Sequence, residues 1–504
     1  MDTFLSPHAM TRRKGKGACC RAVAERQGLL RLFSAVCAVA LLAEAASAAV
    51  PLATATRTCM PLSVGERLKE DVVERRYEVP VEIPAEAAGR RVAVSFDLVN
   101  TRADVFLDGE PAGTCVFPCG EVDLTALARP GDTQTLAIEA KAYPPQEGAL
   151  VFNAPDRAEL RKINLRNRGV TGAVRLETMP AGPRIADSTV ETSVERGEIT
   201  FVADLAGLPE DEAGERYILS ALVAGCGAEK RFESGPLAPG TNGTVRFTAV
   251  WKDAALWDVH TPENLYSCTL SLRAADGALL DEALPFRFGF REVKLEGRDI
   301  LLNGVPIHLR AQVCKAMNAT DGSYATCFET ATNLLARGWN FVIADNYNFR
   351  PGCLSATEGF LSACDDAGLL CSFTLPSLND FDEGKLRDDP ETQRVFRELT
   401  RQAVRMARRH PSVILYAMNH NRLGYAGDMD PLRIGVGYDI LSEIDADPDL
   451  GPSMQWMAWR RRAGERCRAV AEEEDPTRPV YHHSSGDLGL FHTCNIYLDF
   501  SPVQ

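Results

Sequence analysis

No C-x-x-C pair occurs in the 504-residue chain, and neither H-x-x-x-H nor H-E-x-x-H spacing is present. These absences remove the local support for zinc-ribbon, thioredoxin-like and zinc-protease readings. No long basic run follows Arg31, and 69 acidic residues against 55 basic ones leave a formal net charge of −14. That balance argues against nucleic acid or an anionic membrane surface as a partner. The apolar stretch "LFSAVCAVALLA" (32 to 43) is too short for a membrane span, which takes about 20 apolar residues.

What is present at the N-terminus is a set of basic residues, including Arg12, Arg13, Lys14 and Lys16, ahead of that stretch, with Ala46-Ser47-Ala48 behind it. This reads as an export signal over 1–48, so the mature protein is expected to be secreted or periplasmic and free of the membrane after cleavage. Of fifteen cysteines, twelve remain beyond the signal. Cys115 and Cys119 are close enough in sequence to pair across a turn in an oxidising compartment, while the others read as small buried thiols.

From 61 to 182 apolar and polar residues alternate, as in "RVAVSFDLVN", with Asp108-Gly109 and Pro130-Gly131 as turns. Alternation with period two marks half-buried strands, and short strands at this spacing indicate a jelly-roll sandwich. The same pattern over 187–295 is sufficient for a separate immunoglobulin-like sandwich. After 296 the pattern changes to apolar strand-like runs separated by helical stretches, which implies a parallel sheet. Six such strands are counted where a (β/α)8 TIM barrel needs eight. The expected architecture is multidomain β plus α/β: jelly roll, immunoglobulin-like sandwich, then an incomplete TIM barrel over 296–504, with the chain a C-terminally truncated fragment.

Four segments carry a resemblance to a known family: "RNRGVTGAVRLE" (166 to 177); "ALWDVHTPENLYSCTLSL" (255 to 272) with "RFGFREV" and "ILLNGVPIHLR"; "HPSVILYAMNH" (410 to 420); and "DPTRPVYHHSSG" (475 to 486). Together they resemble glycoside hydrolase family 2, the group of β-galactosidases, β-glucuronidases and β-mannosidases. The resemblance implies a sugar-binding-like jelly roll, a carbohydrate substrate, no cofactor, and retaining hydrolysis by two Glu residues about 5 Å apart. It also implies Asn-Glu at the end of the fourth barrel strand. Here Asn419 matches and His420 stands where the acid/base Glu is usual. The family's nucleophile strand has no counterpart before Gln504, so the chain by itself is expected to be inactive.

His420 is a competent proton donor near neutral pH and is the candidate acid/base. Asp428, in the Gly-rich loop that follows, is the alternative acid. Asn419, Asp345, Asn346, Tyr347, Tyr425 and Asp487 fall after predicted strand ends and are the candidate sugar contacts. Trp339, Tyr347, Phe349, Tyr425 and Tyr497 are of the right type to stack on sugar faces at the rim. A metal site built from His420, His482, His483, His492, Asp345 and Asp487 has no local spacing to support it, and no metal is expected. Two functions follow from this pattern, a secreted glycoside hydrolase of a divergent branch or a non-catalytic carbohydrate-binding relative. Sugar, linkage and oligomeric state are not readable from the sequence.

Overall fold

Period-two alternation puts successive side chains on opposite faces of a strand, so an alternating strand buries one face. In the first sandwich Val92, Val94 and Phe96 from one sheet meet Val105, Leu107, Leu136 and Ile138 from another in a single buried cluster. The computed structural model of the chain describes residues 52–64, 74–142, 167–209, 216–314, 323–344, 349, 351, 354, 357–378, 381, 386, 388–418, 452–483, 490–491 and 493. The five-stranded sheet of this sandwich runs Leu52–Ala53, Thr58–Leu62, Val174–Met179, Arg91–Phe96, Gly120–Asp123. Its partner runs Glu74–Glu82, Thr133–Lys141, Arg102–Leu107, Glu110–Val116. Strands therefore begin at Leu52, ahead of the expected start at 61. Asp108 and Gly109 adopt φ of +50° and +86°, the positive angles that a two-residue hairpin loop demands. Cys115 and Cys119 are both free thiols, contrary to the pairing considered from their spacing.

The second sandwich places Arg184–Ser193, Glu198–Ala206 and Thr244–Val250 against a sheet built on Tyr217–Gly225 and Leu265–Ala274. Its core is aromatic. Trp251 meets Tyr266 edge-on at 4.9 Å and Phe290 at 5.6 Å, and Phe201 stacks on Phe247 at 5.0 Å. The two sandwiches are joined by a buried charge: Arg57 forms a two-pronged ion pair with Asp281, whose carboxylate also accepts the Thr56 hydroxyl at 2.9 Å and the Ile185 amide at 2.8 Å. Asp281 is fully buried, and these donors offset the cost of taking its charge out of water.

A small antiparallel sheet, Val293–Glu296, Asp299–Leu302 and Val305–Pro306, leads into the β/α region. There the order is β1 (Ala311–Cys314), α1 (Tyr324–Ala336), β2 (Phe341–Ala344), α2 (Thr357–Ala367), β3 (Leu370–Thr374), α3 (Pro390–Ala407), β4 (Val413–Met418), α4 (Pro452–Glu474) and β5 (Val480–His482), numbered within this region. The five strands pair in that order, all parallel. A sixth strand was expected over 493–500, of which only Thr493 lies within the described residues. Asp389 caps α3, accepting the Thr392 amide at 3.0 Å with Pro390 at the first helical position, a pairing that satisfies one orphan donor and spares another. Phe396, Leu399, Ala403, Val404 and Ala407 form its buried stripe.

Every residue of β3 and β4 is buried, as two-sided covering requires. One face, with Val342, Cys371, Phe373, Tyr416, Met418 and Val480, packs against the helices. The opposite, inner face carries Phe341, Ile343, Leu370, Leu415, Ala417 and Tyr481, packed with Trp257, Leu265, Val293 and Leu302 from the second sandwich and the small sheet. No helix among the described residues is long and apolar enough to cross a membrane.

Candidate functional site

In parallel sheets flanked by helices, the connections leaving the carboxyl ends of the strands carry the chemistry. The eight residues predicted for this site, Asn419, His420, Tyr425, Asp428, Asp345, Asn346, Tyr347 and Asp487, all lie outside the described residues, as do Tyr497 and His492. The described groups at the carboxyl ends are Thr374 closing β3 and Ser377 after it, Met418 closing β4, and His482 closing β5 with His483 after it. On the inner face below them the hydroxyls of Ser372 and Tyr481 are 3.4 Å apart. Burial pushes the Tyr481 phenol up, against the opposing hydrogen bond from Ser372, so it remains a proton donor at neutral pH. None of these positions is a carboxylate. Asp389, farther along the connection after β3, is committed to capping α3. The hydroxyls described at this end, on Ser372, Thr374, Ser377 and Tyr481, are all buried.

Register separates the two adjacent histidines. His482 is fully buried on the helix-facing side of β5; burial first, then the charges of Arg468 and Arg461 on α4, pull its imidazole down to about 3. A fully buried ring on the helix-facing side of β5 is not available to the rim, so the six-residue metal set considered from sequence is broken at this member. Among the described residues no group of three or more potential ligands forms a metal site. Two aromatic residues expected at the rim are elsewhere. Trp339 precedes β2, at the amino end of the sheet, because its neighbour Asn340 bonds back to Arg310 ahead of β1. Phe349 is buried between Phe117 and Phe373, at 5.3 and 6.3 Å. It is a packing residue, since both of its neighbours are core side chains and almost none of its surface reaches water.

A cluster that sequence reasoning did not single out lies at the opposite end of the sheet. His410, in the turn between α3 and β4, places Nδ1 2.6 Å from Asp365 Oδ2 and Nε2 3.3 Å from Glu358 Oε2. An imidazole between two carboxylates has the outline of a catalytic triad. Its ionisation rules that out. Burial opposes the charge, yet the Asp365 and Glu358 carboxylates push His410 up to about 10, and an imidazolium that keeps its proton at neutral pH is no general base. Asp365 is also fully used: its other oxygen accepts the Ser412 amide at 3.0 Å, and its backbone carbonyl accepts Trp257 Nε1–H at 3.1 Å. The cluster is a strut tying α2 and the second sandwich to the entry of β4. The signals that could have found it, "CDDAG" and "RRHPSV", are 45 positions apart between Asp365 and His410.

No family model matches the chain. Among solved structures it is similar to a glycosyl hydrolase family 2 member from Bacteroides cellulosilyticus, at 17% identity and TM-score 0.56 over 82% of this chain and 49% of that one. It is also similar to a GH2 β-galacturonidase from Eisenbergiella tayi bound to galacturonate, at 17% identity and TM-score 0.57 over 88% of this chain and 72% of that one. A β-D-glucuronidase from Dictyoglomus thermophilum gives 16% identity and TM-score 0.56 over 87% and 75%. The chain thus spans about half the length of the Bacteroides protein. At such identity the likeness speaks to the fold: a multidomain, mostly β architecture shared with GH2 glycosidases.

Proposed function

We propose that the chain is the jelly-roll, immunoglobulin-like and partial TIM-barrel portion of an exported glycoside hydrolase acting on β-linked sugars, with residues 1–48 as its export signal. The observation that carries this reading is the order of parts, two antiparallel sandwiches and then five parallel strands with intervening helices, supported by a fold likeness to glycosidases over more than four-fifths of the chain. In this reading β4 leads directly into Asn419 and His420 at the end that carries chemistry in such sheets. His420 would donate a proton to the departing glycosidic oxygen, with Asp428 as the alternative acid. Asn419, Asp345, Asn346, Tyr347, Tyr425 and Asp487 would contact the sugar.

The second reading, in which the protein binds carbohydrate without cleaving it, rests on His420 standing where the resemblance implies the acid/base Glu. The two separate when the full-length protein is assayed on a panel of 4-nitrophenyl β-D-glucuronide, β-D-galacturonide and β-D-galactoside. A hydrolase should turn over at least one, and His420→Ala should lower kcat by about 100-fold or more if the imidazole is the general acid. Undiminished turnover in His420→Ala would remove His420 from the mechanism. Binding of the sugars without turnover would support the second reading.

A further inference from the structure

The three-stranded sheet of the second sandwich ends on Thr244–Val250, whose inner neighbour is Glu198–Ala206. Trp251 N–H donates to Gly197 O at 2.7 Å and Leu205 N–H to Gly243 O at 3.0 Å. Between these two bonds Thr244 to Val250 pair one for one with Asp204 to Glu198, without a bulge. Antiparallel bonding alternates, so Val245, Phe247 and Ala249 turn their amides and carbonyls inward to the neighbour. Arg246, Thr248 and Val250 turn theirs outward. Among the described residues no strand pairs with this outer side, and the Val250 side chain at its end is 65% exposed.

A row of open donors and acceptors is a template for another strand, and sheet edges usually carry a feature that discourages such pairing. The other long edges of the two sandwiches do. Glu74–Glu82 includes Pro80 and charges of both signs, and Glu110–Val116 includes Pro111 and a register shift where it faces Val105 and Phe106. Arg184–Ser193 is bulged between Ile185 and Asp187, and Ala228–Glu233 carries Lys230 and Arg231. Thr244–Val250, "TVRFTAV", has no proline, no bulge and a single charge, Arg246, which is paired with Glu191.

This edge fits its own copy. When two copies meet antiparallel about a two-fold axis at Thr248, each Thr248 N–H reaches the other's carbonyl and Arg246 stands opposite Val250. The two Arg246 side chains then lie toward opposite ends of the pairing, whereas an axis at Arg246 would set like charges face to face. The aliphatic stem of each Arg246 covers the other copy's exposed Val250. The contact between the Thr200 and Thr248 hydroxyls, at 2.7 Å, continues across the axis as a ladder of threonines, a favourable cross-strand pairing.

We propose that Thr244–Val250 is the interface of a homodimer, in which two copies pair edge to edge about a two-fold axis at Thr248 and join their three-stranded sheets into one. The dimer does not depend on the carbohydrate reading. One strand edge is smaller than the interfaces of permanent dimers, so the association is weak and reversible. Sedimentation of the full chain between about 1 and 100 µM tests it, the range in which so small an interface should dissociate. The wild type should pass from monomer to dimer. Thr248→Pro should stay monomeric throughout with an unchanged urea midpoint, because the amide it removes faces away from the ladder. If Thr248→Pro does not fold, Val250→Lys, which sets a second positive charge opposite Arg246 of the other copy, should weaken the dimer by about tenfold or more. Added salt should recover part of that loss. Hydrogen exchange locates the contact: peptides over 244–250 should exchange more slowly in the dimer than in the monomer, while those of Tyr217–Gly225 are unchanged. A dimer that persists undiminished in the variants uses another face and overturns the proposal. So does a monomer at every concentration, whether the edge exchanges quickly because it is open or slowly because another part of the same chain covers it.

Discussion

His410 shows how a single side chain can have the composition of a catalytic group and the energetics of a strut. Its proton is held to about 10 in the folded state, whereas in the unfolded chain an imidazole releases it near 6.5. The folded form binds more protons through that window, so the contribution to stability is complete below about pH 6.5 and is lost as pH rises through about 10. Urea midpoints measured from pH 6 to pH 10 should fall across the window in the wild type and vary less in His410→Gln. The same substitution should cost about 3 to 5 kcal/mol at pH 6, because it strands the buried Asp365 carboxylate. A wild-type midpoint that stays level while His410→Gln falls would contradict the assignment. The segment "HPSV" was legible as the run into a strand, but the role of its histidine depended on a carboxylate that arrives from α2.

At the scale of the element, β4 illustrates what periodicity can and cannot deliver. Its run "VILYAM" is apolar throughout, which is readable as a strand covered on both faces and is what the structure contains. Its entry is another matter. Arg291, from the end of the second sandwich, donates to Pro411 O at 3.1 Å and Val413 O at 2.8 Å; Arg478 donates to Val413 O at 2.7 Å, Arg408 O at 2.7 Å and His410 O at 2.9 Å. Two buried guanidiniums thus satisfy carbonyls that the strand ladder leaves over. Arg291→Met should cost about 1 to 3 kcal/mol, the price of an unsatisfied buried acceptor, with faster exchange concentrated in β4; an effect confined to the second sandwich would contradict this role. Facing was legible only in part. Strand alternation foretold that just one of His482 and His483 could face inward, and the partners on α4 decided that His482 faces the helices. For Trp339 and Phe349 the residue type suggested a rim, whereas strand boundaries and the sandwich tip placed one at the amino end and the other in the core.

Across the whole molecule the second sandwich and the β/α region share their interior. Trp257 is fully buried against the inner face of the parallel sheet. Gly289 lies so close to that contact that a Cβ there would sit 2.7 Å from both Pro411 Cβ and Trp257 Cβ. Arg408 and Arg409 on the β/α side reach Asp187 of the sandwich at 2.5 and 2.6 Å, and burial that would raise the Asp187 carboxyl is outweighed by these arginines and Arg405. The two parts should therefore unfold in one transition, and Trp257→Ala should lower the stability of both together by about 3 to 5 kcal/mol. Separate midpoints for the sandwich and the β/α region in wild-type protein would contradict a shared core.

The amino-acid sequence by itself determined the type of most of the described strands, turns and helices, because those depend on period, on glycine at positive φ and on capping residues within a few positions of one another. It determined in the same way the change from alternating to continuous apolar runs after residue 296. Only the tertiary structure decided which charged groups are struts and which ends of the strands they occupy. The contacts of Asp365 with His410, of Arg291 with Pro411 and of Asn100 with Leu354 join residues 45, 120 and 254 positions apart, and a buried polar group takes its ionisation and its role from partners that chain proximity does not supply.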